Sequence, residues 1–337
     1  YEFAGWYNIP GGSLNNGVEV KNNSNMPAHT LVLFASYTPK KYDVTLVCGD
    51  DASLEEDTVN VGYKQKFELP VPSRDSQNLV FEGWYTDVSG NGTKITDGNG
   101  VSISTWEYKS DMTLYANWVN VLNYEEVTSN GKVTGYKAVP GVGMKNVTEV
   151  TVPATYNGKN VVELGSFAGY SKIVKLNIPN TISYIDTVTG FTSCSSLKAV
   201  NVYDVEGYKG DVYYTSYDGV LYYNNEISVN SGWEVRFVPA GKDGHCEIMT
   251  GTVNIPVKAF YSSNITSVTI PYTVNTIGVS AFRYCYDLVS VEFEATPEGE
   301  DEVGLTLAEN SFASCSHLVS ITLPKRTQSI STGYADY

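Results

Sequence analysis

The chain has 337 residues, which is enough for two or three domains that each bury a core. It carries 22 Lys and Arg against 37 Asp and Glu, a formal net charge of −15 that disfavours binding to nucleic acid or to anionic lipid. No apolar stretch reaches the length of a transmembrane helix, so no membrane insertion is predicted for this chain.

The N-terminal third contains one motif twice. FAGWY at 3–7 and FEGWY at 81–85 are each followed by a loop rich in Gly and Asn. A strand-like segment then follows, LFASY at 33–37 in the first copy and LYANW at 114–118 in the second. Buried aromatic residues stabilise a small module strongly, so we expect the tryptophans of these motifs to form its core.

The second copy also has an opening strand. YDVTLVC at 42–48 alternates apolar and polar residues, and the first copy has no counterpart to it. We therefore predict an incomplete module at 1–38 and a complete one at 39–119. The first residues do not have the charged start and apolar core of a signal peptide, so we expect this chain to be part of a longer precursor.

A different repeated pattern occupies residues 120–337. Five segments follow F-x-x-C-x-x-L-x-x-V-x-L, with the third one residue shorter, and they begin at Phe167, Phe191, Phe260, Phe282 and Phe312. Where copies are adjacent, the phenylalanines are 22 to 30 residues apart, near the period of leucine-rich repeats. The alternation in V-x-L predicts a short strand with its apolar residues inward. One such coil cannot bury its apolar face alone, so we predict a solenoid of stacked coils.

Three segments depart from this pattern. Residues 121–139 read as a hairpin turned at Asn130-Gly131, which would cap the open end of the solenoid. Residues 203–247 form a tyrosine-rich insertion, in which Asp-Gly and Gly-Lys-Asp-Gly sequences predict β-hairpins. Residues 294–302, EATPEGEDE, read as a short acidic loop.

The repeated motifs resemble two known families. F-x-G-W-Y followed by L-Y-A-N-W resembles the Listeria–Bacteroides repeat, the internalin-type B repeat. The F-x-x-C-x-x-L-x-x-V-x-L-P units, with DGVLYYNN at 218–225 and VPAGKDG at 238–244, resemble BspA-like leucine-rich repeats. The resemblance implies a mainly β fold: β-grasp-like small repeat modules, then a leucine-rich-repeat solenoid with a β-hairpin insertion. It also implies secretion to a bacterial cell surface and adhesion or protein binding, and it supplies no catalytic motif.

Cys315 and His317 lie close enough in sequence to suggest a nucleophile and its base. Such chemistry needs an activated thiolate, a base within hydrogen-bonding reach and a group that orients the base. Cysteine recurs at the same position of the repeat as Cys194 and Cys285, whereas the position of His317 holds serine or aspartate in those copies. We therefore predict a packing role and no enzyme. A cysteine hydrolase would instead lose activity on Cys315→Ala.

Metal and cofactor sites are not indicated. The five cysteines are odd in number and widely spaced, so neither a disulfide framework nor a zinc site is predicted. His29 and His245 have no acidic or thiol neighbour at ligand spacing, and the acidic loop 294–302 does not have the spacing of a calcium loop. Nucleotide-binding glycine motifs are also missing from the sequence.

Two surfaces are candidates for binding a partner. The outward positions of the predicted strands are small and polar, whereas binding hot spots favour Trp, Tyr and Arg. The tyrosines of the insertion would be better anchors if exposed, although half of them could instead cover the insertion's own apolar face. The candidate partner-binding residues are Tyr208, Tyr213, Tyr214, Tyr217, Tyr222, Tyr223, Lys175, Asn177, Asn201 and Glu292.

We therefore expect a non-catalytic, secreted protein of a bacterial cell surface. Its partner would be a protein, such as a host matrix or cell-surface protein, or a glycan. The alternative is a carbohydrate-binding or spacer region of a larger secreted or surface enzyme. Exposed aromatic side chains with Asn or Asp nearby would favour sugar binding, and a bare polar face would favour a spacer.

Overall fold

The computed structural model describes residues 1–10, 15–21, 31–76, 78–186, 189–224 and 232–331. The chain divides into two compact units, Tyr1–Val119 and Asn120–Tyr337. Within the described residues, the secondary structure consists of strands and two short 3-10 segments, Val88–Gly90 and Val142–Asn146, without an α-helix. The prediction of a mainly β protein is confirmed.

The strands follow one another closely along both units. Those of the first unit are β1 (Glu2–Tyr7), β2 (Phe34–Thr38), β3 (Lys41–Val47), β4 (Ala52–Ser53), β5 (Thr58–Gly62), β6 (Ser73–Arg74), β7 (Leu79–Tyr85) and β8 (Met112–Asn120). Those of the second unit are β9 (Leu122–Ser129), β10 (Lys132–Pro140), β11 (Glu149–Thr151), β12 (Thr155–Tyr156), β13 (Lys159–Leu164), β14 (Lys175–Pro179), β15 (Tyr184–Ile185), β16 (Ala199–Tyr203), β17 (Tyr214–Tyr217), β18 (Val220–Asn224), β19 (Trp233–Phe237), β20 (Asp243–Glu247), β21 (Thr252–Ile255), β22 (Asn264–Ile270), β23 (Thr276–Ile277), β24 (Ser290–Phe293), β25 (Leu305–Leu307) and β26 (Thr327–Ile330).

A four-stranded sheet organises the complete module of the first unit. Its strand order is β5-β3-β8-β7, with the opening strand β3 parallel to the closing strand β8 at the centre. Alternation in β3 places Val44 and Leu46 in the core, where they are at most 3% exposed. Trp84 and Trp106 are also buried in this core, as the sequence predicted for tryptophans of the complete module.

The glycine of the F-x-G-W-Y motif allows a close approach between two chain segments. Gly83 has φ +148°, and a Cβ atom at this position would lie 2.2 Å from the carbonyl oxygen of Thr96. Next to it, the Trp84 N–H donates to Thr96 Oγ1, at 3.0 Å, and the indole Nε1 donates to the carbonyl of Pro70, at 2.9 Å. The motif therefore fixes where the tryptophan enters the core.

The first copy of the motif is packed much less completely. Strands β1 and β2 pair with each other as an antiparallel two-stranded sheet. Phe3 is 54% exposed and Trp6 47%, whereas their counterparts Phe81 and Trp84 are 4% and 0% exposed. The prediction of a tryptophan core is therefore wrong for Trp6. The physical reason is that, within the described residues, β1 and β2 pair as a two-stranded sheet without strands equivalent to β3 and β5.

Parallel strands line one face of the solenoid in the second unit. The order is β11-β14-β16 in one sheet and β20-β22-β24 in another. In β14 the inward residues Leu176 and Ile178 are buried, and in β22 the corresponding pair is Val268 and Ile270. The V-x-L interpretation is thus confirmed for these coils. In the last coil, residues 319–324 contain no strand, although Leu318 and Leu323 still pack on the core.

The other face of the solenoid is built from shorter strands. Strand β10 pairs in parallel with β13, and β13 with β15. Further along, β19, β21, β23, β25 and β26 follow in parallel order. Strand β10 also forms an antiparallel hairpin with β9, turned at Asn130-Gly131, where both residues have positive φ. That hairpin lies at the expected place, and its role as a cap stays a prediction.

Within the described residues, the insertion contains three strands in antiparallel order, β17-β18-β19, and it is shorter than predicted. Strands β17 and β18 pair around Asp218-Gly219, as the sequence indicated. The second predicted hairpin, at Gly241–Gly244, is not formed: this segment leads into β20, which pairs in parallel with β22. The correction has a simple cause. Residues 237–248 form a solenoid coil in which Cys246 and Ile248 are the buried alternating residues.

A buried lysine fastens the hairpin to this coil. The Lys242 side chain is 8% exposed and its Nζ lies 3.0 Å from Asp218 Oδ2. The same ammonium donates to the Asp218 carbonyl, and the Asp218 carboxylate accepts from the Glu247 N–H at 3.0 Å. This ion pair between a buried ammonium and a partly exposed carboxylate, with the additional hydrogen bonds, fixes the turn of the hairpin against β20.

Candidate binding surfaces

Phenylalanine and cysteine form a repeated packing unit in the turns between strands. The rings of Phe260, Phe282 and Phe312 stack in sequence, with centroid separations of 4.6 and 4.9 Å. The Cys285 Sγ donates to the carbonyl of Phe260 and the Cys315 Sγ to that of Phe282, at 3.0 and 3.1 Å. Each cysteine therefore joins its own coil to the preceding one, which explains why a small, weakly polar side chain recurs there.

The geometry around Cys315 agrees with packing and not with nucleophilic catalysis. Cys315 is 8% exposed, and its thiol is the donor in the bond to Phe282. The contact between the two stacked thiols, together with burial, raises the pKa of Cys285, while the same contact lowers the pKa of Cys315. His317 Nδ1 donates to the carbonyl of Tyr286, so this nitrogen does not act as a base toward Cys315.

In the native protein at pH 8, the cysteines are expected to differ in their rates of thiol labelling. Cys48 is half-exposed and should react first with iodoacetamide. Burial raises the pKa of Cys194, and it raises that of Cys246 to about 12, so these thiols stay protonated at pH 8. We expect Cys194, Cys246, Cys285 and Cys315 to react on the order of 100-fold more slowly than Cys48, measured by peptide mass spectrometry.

Two further results complete this test. After unfolding in urea, all five cysteines should react at similar rates, because the difference comes from the fold. Replacing Cys315 by alanine should lower the free energy of unfolding by only about 1–2 kcal/mol. Rapid labelling of Cys315 in the native protein would contradict the packing role.

The strand face carries polar side chains that bind one another. Asn177 Nδ2 donates to Glu149 Oε1, and Asn201 Nδ2 donates to Asn177 Oδ1, at 3.0 and 3.1 Å. Lys175 Nζ lies 3.0 Å from Glu149 Oε1, and this hydrogen bond lowers the pKa of Glu149. In the second sheet of this face, Glu292 is exposed. Lys175, Asn177 and Asn201 are half-buried and already hydrogen-bonded, so they offer a partner few free groups.

The structure separates the tyrosines of the insertion into two sets. Tyr214 and Tyr222 are buried at 4% and 0% exposure. Their hydroxyl oxygens accept from the N–H groups of Ile185 and Met249, at 3.2 and 3.1 Å. Burial raises the pKa of both phenols. These two tyrosines cover the insertion's own apolar face, which removes them from the residues that a partner could contact.

The other insertion tyrosines reach the surface to different degrees. Tyr217 is 41% exposed, and a hydrogen bond with Glu247 raises its pKa. Tyr223 is half-buried, and the Arg236 guanidinium lies over its ring at 5.9 Å. The remaining two are half-buried and contact Asp211 through their hydroxyls; they are Tyr208 and Tyr213.

The structure contains a cluster of tyrosines on neighbouring turns that the sequence analysis did not identify. The ring of Tyr284 lies 5.3 Å from that of Tyr261 and 5.8 Å from that of Tyr286. The Arg283 guanidinium lies over Tyr284 at 4.7 Å, and the Lys258 ammonium over Tyr261 at 5.5 Å. Tyr261 and Tyr286 are 42% and 54% exposed. These five residues are called the tyrosine patch.

The sequence did contain a signal for this patch. The three tyrosines stand at variable positions of two successive repeats, FYSSN and FRYCYD, where most of the other copies hold small residues. Aligning the copies draws attention to the shared residues, whereas a binding surface is built from the variable ones. Only stacking of the coils shows that these variable positions are neighbours.

The histidines and acidic groups do not assemble into a metal site. Among the described residues, no group of three His, Cys, Asp or Glu side chains is placed to hold an ion. His245 Nδ1 is hydrogen-bonded to Ser267 Oγ at 2.8 Å, on the strand face, and His29 lies outside the described residues. The part of the chain that the structure describes has no helix with the length and apolar character to span a bilayer.

Stacked coils with parallel strands on two faces, and phenylalanine and cysteine at fixed turn positions, define a leucine-rich-repeat solenoid. Residues 143–216 and 253–334 match the BspA type leucine rich repeat region, in six copies. Residues 42–117 match the Listeria-Bacteroides repeat domain. The second unit therefore belongs to the BspA-type leucine-rich-repeat family, and it is preceded by a Listeria–Bacteroides repeat, as the sequence motifs indicated.

Solved structures of leucine-rich-repeat proteins from bacteria align with part of this chain. One from T. pallidum aligns with a TM-score of 0.40 and 22% identity, over 62% of this chain and 83% of that chain. One from Bacteroides ovatus gives 0.35 and 21%, over 62% and 47%. A leucine rich cell surface protein from Faecalibacterium prausnitzii gives 0.26 and 16%, over 63% and 94%. A search of curated proteins gives no significant match.

Proposed function

We propose that this chain is a non-catalytic binding region of a bacterial cell-surface protein, and that its second unit binds a protein partner through the tyrosine patch. Both families found in the chain are repeat families, and the sequence resemblance associates them with bacterial surfaces. The buried, hydrogen-bonded state of Cys315 further supports a role without catalysis.

The observation that carries this proposal is the composition and exposure of the tyrosine patch. Tyrosine and arginine are enriched among residues that dominate binding energy at protein interfaces. Tyrosine supplies a large contact area and loses little conformational entropy when it is immobilised. Ring contacts between Tyr261, Tyr284 and Tyr286 hold the patch in place before a partner arrives, which lowers the cost of ordering it.

The partner-binding residues that were predicted from the sequence are less important to this proposal than the tyrosine patch. Glu292 and Tyr217 are exposed but lie outside the tyrosine patch, so we expect binding not to depend on them. Lys175, Asn177 and Asn201 would contribute less, because a partner would have to replace hydrogen bonds that they already make. A glycan ligand, or a spacer role within a larger surface enzyme, is the alternative that the following experiment distinguishes.

The proposal can be tested by replacing two tyrosines that lie away from other candidate surfaces. Wild type and the Tyr284→Ala/Tyr286→Ala variant are compared by surface plasmon resonance on immobilised collagen, laminin and fibronectin, and on a glycan array. We expect the wild type to bind at least one of these proteins, and the variant to bind it about tenfold or more weakly. The strand-face variant Ser290→Ala/Glu292→Ala serves as the matched control and should keep its affinity.

Three outcomes would count against the proposal. Binding to glycans alone would favour the carbohydrate-binding alternative, and the absence of binding to every protein and glycan would favour the spacer. Loss of protein binding in the strand-face control, with the tyrosine variant unaffected, would move the interface to the strand face. Circular dichroism of each variant establishes that the fold is retained.

A further inference from the structure

Three pairs of adjacent coils are joined by the same set of hydrogen bonds. In the pair that begins at Phe260 and Phe282, the Phe260 N–H donates to the Ala281 carbonyl at 2.8 Å, and the Ser262 N–H donates to the Arg283 carbonyl at 2.9 Å. The Cys285 thiol donates to the Phe260 carbonyl at 3.0 Å. Equivalent bonds join the coil of Phe167 to that of Phe191, and the coil of Phe282 to that of Phe312.

The pair that begins at Phe237 and Phe260 does not have this set. Pro239 occupies the position two residues after Phe237, where the other coils have an N–H donor, and proline has none. Among the described residues, no donor reaches the carbonyl oxygens of Ala259 or Tyr261, which are the equivalents of the acceptors Ala281 and Arg283. The position of the bonding cysteine holds Ser263.

Ser263 is buried without a partner. The residue is 7% exposed, and within the described part of the chain its Oγ makes no hydrogen bond. A buried hydroxyl without a partner is unfavourable, and in native proteins such a group calls for an explanation. In the three regular pairs the corresponding thiol is satisfied by a carbonyl of the preceding coil. Ser263 thus occupies the cysteine position, but its hydroxyl has no acceptor within hydrogen-bonding distance.

A cleft of about 670 Å³ lies at this junction. It is lined by residues 234–240 of one coil and 256–263 of the next, including Pro239, Ala259 and Ser263. The preceding junction, between the coils of Phe191 and Phe237, is closed instead. There the two rings stack at 4.5 Å, and the Gly241 N–H donates to the Leu197 carbonyl at 2.8 Å. This second junction carries Ala240 at the cysteine position, which has no polar atom to satisfy.

The charge of the cleft is opposite to that of the whole chain. Arg236 contributes a cation from one wall and Lys258 from the other, against the single carboxylate of Glu234. The chain as a whole has a net charge of −15. A local excess of positive charge in a strongly acidic protein favours a ligand that carries a carboxylate.

We propose that this cleft, the Pro239 cleft, binds a short peptide segment with an acidic side chain. Two backbone N–H groups of the peptide would donate to the carbonyls of Ala259 and Tyr261, and one peptide carbonyl would accept from the Ser263 hydroxyl. The peptide backbone thereby supplies hydrogen bonds that are missing at this junction, one of them because Pro239 has no N–H, in the manner of strand addition to an open edge. Arg236 and Lys258 pair with the acidic side chain. The proposal rests on the proposed function, because the peptide would be part of the protein partner.

The test uses a heptapeptide library displayed on phage and selected on the full chain. Selected peptides are then synthesised, and their affinities are measured by isothermal titration calorimetry. Three variants are compared with the wild type: Ala240→Trp, which fills the exposed wall of the cleft; Arg236→Glu, which reverses the charge on the wall that does not belong to the tyrosine patch; and Ser263→Ala. Lys209→Glu, an exposed position outside the cleft, is the matched charge control.

We expect the selected peptides to be enriched in Asp and Glu. Their affinity should fall about tenfold or more in the Ala240→Trp and charge-reversal variants, and by a smaller factor in Ser263→Ala, with Lys209→Glu unchanged. Methylation of the peptide nitrogens that donate to Ala259 and Tyr261 should also abolish binding, because backbone N–H groups carry the recognition.

Several results would overturn the peptide site. One is the selection of no peptide above background. Another is equal affinity of the selected peptides for wild type and Ala240→Trp, and a third is insensitivity to N-methylation at every position. Peptides that lose affinity in Tyr284→Ala/Tyr286→Ala but keep it in Ala240→Trp would support the proposed function and reject the cleft. Sensitivity to Ala240→Trp alone would support the cleft, and the tyrosine patch is tested separately by partner binding to Tyr284→Ala/Tyr286→Ala.

Discussion

Replacing Phe282 by alanine is expected to lower the free energy of unfolding of the second unit by about 3–5 kcal/mol. Phe282 is fully buried, and its ring lies between those of Phe260 and Phe312, with an interplanar angle of 4° to the latter. Alanine would leave a cavity between two coils, and the coils depend on their neighbours for burial of apolar surface. Loss of this ring therefore weakens the contacts of its coil with both neighbouring coils.

The free energy of unfolding of the second unit is measured by urea unfolding followed by hydrogen-exchange mass spectrometry. This method reports on each unit separately, because peptides from the two units are resolved. Tyr286→Ala is a suitable control, since Tyr286 is 54% exposed and four residues away in the same turn. We expect that substitution to change the free energy of unfolding by no more than about 0.5 kcal/mol. A cost below about 1 kcal/mol for Phe282→Ala would show that ring stacking does not hold the coils together.

The first unit offers a matched pair of substitutions. Trp84→Ala is expected to cost about 3–5 kcal/mol, because the side chain is fully buried and its Nε1 donates to the carbonyl of Pro70. Trp6 occupies the same place in the first copy of the motif but is 47% exposed. Trp6→Ala should therefore cost less than about 1 kcal/mol.

Peptides from residues 42–117 in the same hydrogen-exchange experiment report the stability of the complete module. Protection in these peptides should fall in Trp84→Ala and remain near the wild-type level in Trp6→Ala. Equal losses in the two variants would mean that the two copies of the motif are equally important to the unit, in disagreement with their different burial.

The role of the repeated cysteine becomes clear once the acceptor of its thiol hydrogen bond is known. Alignment of the copies indicates that Cys194, Cys285 and Cys315 have a shared role, and their pattern favours packing over an isolated catalytic thiol. The structure adds the partner, which is the carbonyl of the phenylalanine in the preceding coil. This partner is more than 20 residues away in sequence, so no local pattern could identify it.

The coil that begins at Phe237 was not predicted from the sequence, and the reason is physical. Its cysteine position holds Ala240, its leucine position holds Asp243, and its valine position holds Cys246. Cysteine is a small apolar residue when buried, and Cys246 fills the strand position as valine does elsewhere. The nearby turn sequence Gly-Lys-Asp-Gly then favoured a hairpin, since turn propensity is local and parallel pairing is not.

The sequence by itself determined the repeat class, the inward residues of most coils and the core of the complete module. These follow from periodicity, because apolar residues must recur wherever one coil or strand covers the next. The tertiary structure alone decided which variable residues become neighbours, and so it revealed the tyrosine patch and the buried Ser263 hydroxyl. It also showed that the junction at Pro239, where one N–H donor is lost, contains a cleft. Such features depend on the stacking of distant segments, which the local pattern does not encode.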